Sequence, residues 1–179
     1  MKLGRGFANL LAFALLFFAA SLLAAAQEQC LPFGGTIYGW HYGDAWYGTG
    51  DFTVGSRVMH ATIKDPNTAF TDMGDIWIGK EEATFSFGRG EKITLMTDFV
   101  TEHQTDSGGD QGVFHVNETG FFDRGTGRFR GAWGRFNLQG PFGPGVTLPA
   151  EIVPGVNDGL YWIGQYNGTI CGVRDLRGD

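Results

Sequence analysis

The stretch Gly125-Thr126-Gly127-Arg128-Phe129-Arg130-Gly131-Ala132-Trp133-Gly134-Arg135-Phe136-Asn137-Leu138-Gln139-Gly140 sets glycines at close intervals into an aromatic strand. Gly weakens a strand interior, because it loses the most entropy on ordering and has no side chain to pack. Repeated Gly here therefore implies sharp curvature or close backbone approach. Asp123 to Gly127 supplies turn chemistry between Phe121-Phe122 and Phe129, so the segment predicts a hairpin with a short Gly-containing loop. Closely spaced glycines after a strand also suit a phosphate cradle. Such a cradle must open a helix, whereas Trp133, Phe136 and Leu138 continue a strand.

Outward from this hairpin the chain keeps the period of a strand. Thr36 to Tyr42, Arg57 to Lys64, Ala83 to Phe87, Lys92 to His103, Val113 to Phe122 and Leu160 to Val173 read as strands, separated by Gly, Asp and Asn turns such as Asp65-Pro66-Asn67. Trp46 to Val54 is less regular, and Pro141, Pro144, Pro149 and Pro154 break up residues 141 to 158. Beyond residue 26 no segment sustains the i, i+3, i+4, i+7 apolar spacing of a helix. The chain reads as all-β: a single antiparallel barrel of about eight strands, whose closure removes edges that would otherwise pair between molecules. A two-sheet sandwich is the competing architecture.

Residues 1–26 have the build of an export signal: Lys2 and Arg5, an apolar run from Leu10 to Leu23, then Ala24-Ala25-Ala26. Cleavage there leaves residues 27–179 as one domain, secreted or periplasmic; retention of the segment as an anchor is the alternative. Loss of Lys2 and Arg5 moves the net charge from -6 to -8. An acidic chain without a Lys/Arg cluster is a poor partner for nucleic acid or for an acidic membrane surface. Cys30 and Cys171 lie near the two ends of the mature chain, and export favours a disulfide between them over two buried thiols.

The pattern Gly125-Thr126-Gly127-Arg128-Phe129-Arg130-Gly131-Ala132-Trp133-Gly134, with Phe142 after Pro141, resembles the glycine-rich hairpin of the allene oxide cyclase and dirigent-like barrels. The resemblance covers about twenty residues. It implies an eight-stranded barrel with a central cavity, often assembled as a trimer, whose plant members bind hydrophobic substrates and guide a cyclisation or a radical coupling. Thr36 to Val54 does not match the strands that carry much of the cyclase chemistry, so no catalytic residue is carried over.

Folding 92–103 back on 113–122 about Gly108 sets Asp98 opposite Glu118, on a face with Met96, Val100, Glu102 and Val116. Two carboxylates on a buried face raise one another's pKa and could serve as acid and base; on an outer face they are merely solvated. The other face carries Ile93, Leu95, Thr97, Phe99, Thr101 and His103 against Val113, His115 and Asn117, and is the better inward candidate. Phe99, Thr101, His115 and Asn117, with Tyr38, Trp40 and Trp133, are then the expected lining of a ligand pocket, although His115 also suits a structural role. The histidines lack metal-ligand spacing, Asp106 to Asp110 lacks the terminal Glu of a calcium loop, and no cofactor motif is present, so neither metal nor cofactor is assigned.

The leading expectation is a barrel that binds a small hydrophobic molecule in its interior without catalysis. The alternatives are a cyclase- or isomerase-type enzyme using Asp98 and Glu118, and a structural module forming a homo-oligomer.

Overall fold

The computed structural model describes residues 30–66, 68–74, 76–103 and 112–174. The expectations for residues 1–26, for Asp106 to Asp110 and for the side chain of His103 lie outside the described residues. The strands are β1 (Cys30–Tyr42), β2 (Ala45–Val54), β3 (Arg57–Asp65), β4 (Ala69–Asp72), β5 (Ile76–Ser86), β6 (Lys92–His103), β7 (Phe114–Gly125), β8 (Trp133–Gly143) and β9 (Tyr161–Cys171). They pair antiparallel in the order β3-β2-β1-β9-β8-β7-β6-β5-β4, and β3 also pairs with β5. That additional pairing closes an eight-stranded barrel and leaves β4 outside the ring.

Closure is short. Thr62, Ile63 and Lys64 pair with Ser86, Phe85 and Thr84, after which β3 ends at Asp65. β4 then resumes along the same edge of β5, from Ala69 opposite Lys80 to Asp72 opposite Trp77. The wall is thus interrupted between Lys64 opposite Thr84 and Ala69 opposite Lys80. The sequence reads Asp65-Pro66-Asn67 as a turn, but β3 and β4 run in the same direction along β5, and the ladder breaks at Pro66, which has no N–H to give to it.

Period-two alternation decides what fills the barrel. Phe33 and Ile37 of β1, Phe52 and Val54 of β2, Phe85 of β5, Ile93 and Leu95 of β6, Leu138 of β8 and Ile170 of β9 are fully buried. At one end the rings interlock. Phe33 stacks on Phe52 at 5.3 Å and meets Phe122 edge-on at 5.0 Å, while Tyr166 stands edge-on to both Phe52 and Phe85. Such offset and edge-on contacts suit the quadrupoles of aromatic rings.

The glycine-rich stretch forms the floor of this end. β7 runs on to Gly125, and a turn of 3-10 helix over Gly127–Phe129 lies between it and β8. The connection is therefore longer than the expected tight turn, and Phe129 belongs to it rather than to a strand. Phe129 is fully buried and packs 4.9 Å from Phe87. The Thr126 hydroxyl donates to the Gly90 carbonyl at 2.7 Å and accepts from the Lys92 N–H at 3.0 Å, and Arg128 pairs with Glu91 at 2.7 Å, tying the plug to the turn before β6. Cys30 and Cys171 face each other across β1 and β9 and are bonded. In the chain-entropy view a cross-link spanning 141 residues stabilises by about 4–5 kcal/mol.

Gly134 shows why glycine recurs in β8. Its φ is +148°, and a Cβ there would collide with the Thr169 carbonyl oxygen of β9. Gly43, in the β1–β2 turn, has φ +67° but open space around it. Gly43→Ala should therefore cost only the left-handed strain, about 1–2 kcal/mol, whereas Gly134→Ala should cost at least about 3 kcal/mol because the β8–β9 ladder must also move. Urea denaturation of the two variants checks the order; equal losses would show that backbone collision does not select Gly134.

Candidate functional site

The end of the barrel opposite the Phe129 plug is not filled. A cavity of about 90 Å³ lies there, several times the roughly 10–15 Å³ that one water needs on the same measure. Aromatic rings make most of its wall: Trp46 from β2, Phe70 from β4, Trp77 from β5, Phe99 from β6, Phe142 from β8 and Trp162 from β9. Phe142 lies 5.3 Å from Trp46 and 5.7 Å from Trp77, and Phe70, more than half exposed, lies 5.5 Å from Trp77 at the rim. Gly39 makes room for one of these rings, since a Cβ there would occupy the place of the Trp162 indole.

The floor of the cavity is acidic. Asp65 ends β3 on the inward parity set by Ala61 and Ile63. Glu81 of β5, partly buried, shares parity with Ala83 and Phe85. Both flank the interruption in the wall, and the Thr68 hydroxyl donates to the Asp65 carboxylate at 2.7 Å, holding that break in shape. Glu118 comes from β7, with Phe99 and Leu138 as its cross-strand neighbours, and is 6% exposed. Tyr166 stands opposite Leu138 on β9, between the carboxylates and the packed end.

Among the described residues, no Lys, Arg or His side chain lines this space. Burial, followed by repulsion from Asp65, raises the Glu118 pKa to about 8, with only the nearby Thr97 hydroxyl favouring the charged form. Burial also pushes Glu81 well above the usual carboxylate range, helped by the charges of Glu118 and Asp65 and by a hydrogen bond to Asp65. That carboxyl–carboxyl hydrogen bond needs a proton on one partner. The Tyr166 phenol is raised as well, by burial first and then by Glu118, Glu81 and Asp65. Glu118 Oε2 and Trp162 Nε1 are buried without a hydrogen-bond partner, an arrangement that costs free energy while it lasts.

The expected Asp98–Glu118 pair does not form. Asp98 faces Thr119, not Glu118, and lies on the outer wall, 69% exposed and 3.1 Å from Lys80. The register differs by one residue from a hairpin centred on Gly108, and a one-residue slip carries every side chain of β7 to the opposite face. Phe99 and Thr101 face the cavity as expected. His115 and Asn117, placed beside them by the expected register, instead share the outer parity of β7, while Val116 and Glu118 point in. Tyr38 and Trp40 alternate with the buried Phe33 and Ile37 and so face outward, and Trp133 is half exposed. Asp65 and Glu81 were not singled out by the sequence reading. Their inward parity within 57–65 and 81–85 was the available signal, hidden at Asp65 by its turn-forming neighbours.

A second cluster lies on the outer wall. His60 Nδ1 is 2.8 Å from Asp51 and its Nε2 is 2.9 Å from the Thr49 hydroxyl, the connectivity of a nucleophile–base–acid triad. The side chains of His60 and Asp51 are 64% and 68% exposed, and β2 pairs with β1 on one side and β3 on the other. Its backbone N–H groups are thereby committed to the sheet, so no oxyanion hole is available. Among the described residues no group of His, Cys, Asp and Glu side chains could hold a metal ion.

Comparison with protein-family models, with curated proteins and with solved structures finds no match to the chain. What the site can do therefore rests on its own geometry.

Because Glu118 holds its proton to about pH 8 in the folded protein and to about 4.5 when exposed, the native state binds more protons between those values. Its contribution to stability is fully present below about pH 4.5 and is lost as pH rises through about 8. Thermal unfolding between pH 5 and 8 should show stability falling by up to about 1.4 kcal/mol per pH unit from this group. Glu118→Gln should flatten that slope; an unchanged slope would mean the proton is held elsewhere.

Proposed function

We propose that this protein is an exported binding barrel that takes up a small, largely apolar molecule at the open end of its interior. The observation that carries this reading is the aromatic cavity, which is lined from seven strands of the ring and from β4 and carries only a few polar groups, the usual make-up of a ligand pocket. The opposite end is packed with rings, so depth is limited and the ligand is small. The Cys30–Cys171 disulfide supports export to a secreted or periplasmic setting, where such bonds persist. The resemblance of Gly125–Gly140 to the allene oxide cyclase and dirigent-like barrels also supports a hydrophobic ligand.

Filling the cavity tests this. Ala83 is buried in the cavity wall, and Ala83→Leu should weaken retention of an apolar fluorescent probe at least tenfold. Overpacking of this kind costs about 1–3 kcal/mol, so the melting temperature is measured alongside. Phe70→Ala at the exposed rim provides a variant with little effect on folding. Undiminished probe binding in both variants would place binding outside the barrel and end this reading.

A second reading, proton-transfer catalysis of cyclase or isomerase type, is favoured by one observation: Glu118 is a protonated acid at neutral pH inside an apolar cavity, with Asp65 and Glu81 near enough to act electrostatically within the same acidic cluster. Asp98 has no part in it. Under this reading Glu118→Gln abolishes turnover of a substrate retained from gentle purification, and Asp98→Asn leaves it intact. Retention of that molecule unchanged by the wild-type protein would rule catalysis out.

A further inference from the structure

The proposed ligand can be specified further from the charges that face it. Asp65 from β3, Glu81 from β5, Glu118 from β7 and Tyr166 from β9 converge on one cavity, and among the described residues no basic side chain lines it. An anionic ligand would meet repulsion from these acids. A neutral apolar ligand would leave Glu118 Oε2, buried and unpartnered, without its missing contact. Above the acids stand Trp46, Trp77, Phe99, Phe142 and Trp162, whose π faces attract a cation and repel an anion.

We propose that the cavity receives a small organic cation, an amine or quaternary ammonium group on an apolar body, with its nitrogen between the aromatic wall and the carboxylates of Glu118, Glu81 and Asp65. This rests on the cavity being the binding site. The apolar body occupies the aromatic rim, and the charged end reaches the floor, where it satisfies the unpartnered carboxylate oxygen. The cation takes the place of a proton that the acids otherwise hold between them, so its binding releases protons. Binding tightens as pH rises through the range in which Glu118 titrates, near 8. For a quaternary ammonium group, which has no proton of its own to lose, no loss of affinity follows at higher pH until the protein itself is affected.

The test compares choline with its uncharged isostere, 3,3-dimethylbutan-1-ol, by calorimetry on the full folded chain at pH 6 and pH 8. Choline should bind at least tenfold more tightly than the isostere, more tightly at pH 8 than at pH 6, and with proton release that appears as a dependence of the heat on buffer ionisation. Glu118→Gln should erase the preference for choline, while Asp98→Asn on the outer wall should preserve it. Should Glu118→Gln not fold, Glu81→Gln provides the same readout. An isostere that binds as tightly as choline overturns the cationic ligand and leaves the apolar-ligand reading standing. Binding of neither probe to folded protein overturns both.

Discussion

Three residue pairs between β3 and β5 turn a sheet into a barrel, and the rest of the molecule follows from them. Without Thr62 to Lys64 on Thr84 to Ser86, both β3 and β5 would present open edges, and the face that now holds Phe52, Phe85 and Tyr166 would have no opposite wall. Closure gives each inward residue a partner across the interior. It also fixes how much side chain the interior can hold, since an eight-stranded ring is just wide enough to be filled by side chains or to keep one small space. The packed end takes the first course, with Phe129 as its plug, and the open end takes the second.

The shortness of that closure creates the site. If β3 continued straight into β4 along β5, the wall would be unbroken and Asp65 and Glu81 would lie in an ordinary ladder. Instead the ladder on β5 stops after Lys64, β4 resumes outside the ring at Ala69, and the break sets two carboxylates beside the third, Glu118, from across the interior. Burying carboxyl groups beside one another is unfavourable, and Glu118 and Glu81 respond by holding protons. A fold that accepts this cost has a local conflict between stability and site chemistry, the kind of departure that marks functional positions.

Much of the architecture was legible in the chain. Alternation in 92–103 pointed Ile93, Leu95, Phe99 and Thr101 inward, and they are inward. The recurring glycines of 125–140 predicted close backbone approach, and Gly134 against Thr169 is such an approach. The placement of Cys30 and Cys171 predicted a bond between the first and last strands, and it is there. The aromatic residues were harder. Tyr38, Trp40 and Trp133 were expected inside because large rings favour cores, yet strand parity turns them out and fills the barrel with Phe33, Phe52, Phe85 and Phe136.

By itself the sequence determined the all-β class, the barrel, the disulfide and the inward face of β6, because each depends on local period, turn chemistry or the position of a residue type along the chain. Only the tertiary structure decided which carboxylates meet. Glu118 lies inside and Asp98 outside because β7 pairs with β6 one residue away from a symmetric hairpin, and β-strands reverse their faces at every residue. Asp65 and Glu81 join Glu118 only through the closure of β3 on β5, a contact between segments whose pairing no turn between them specifies. Local patterns fix which way a side chain can point; the register of distant strands fixes what it finds there.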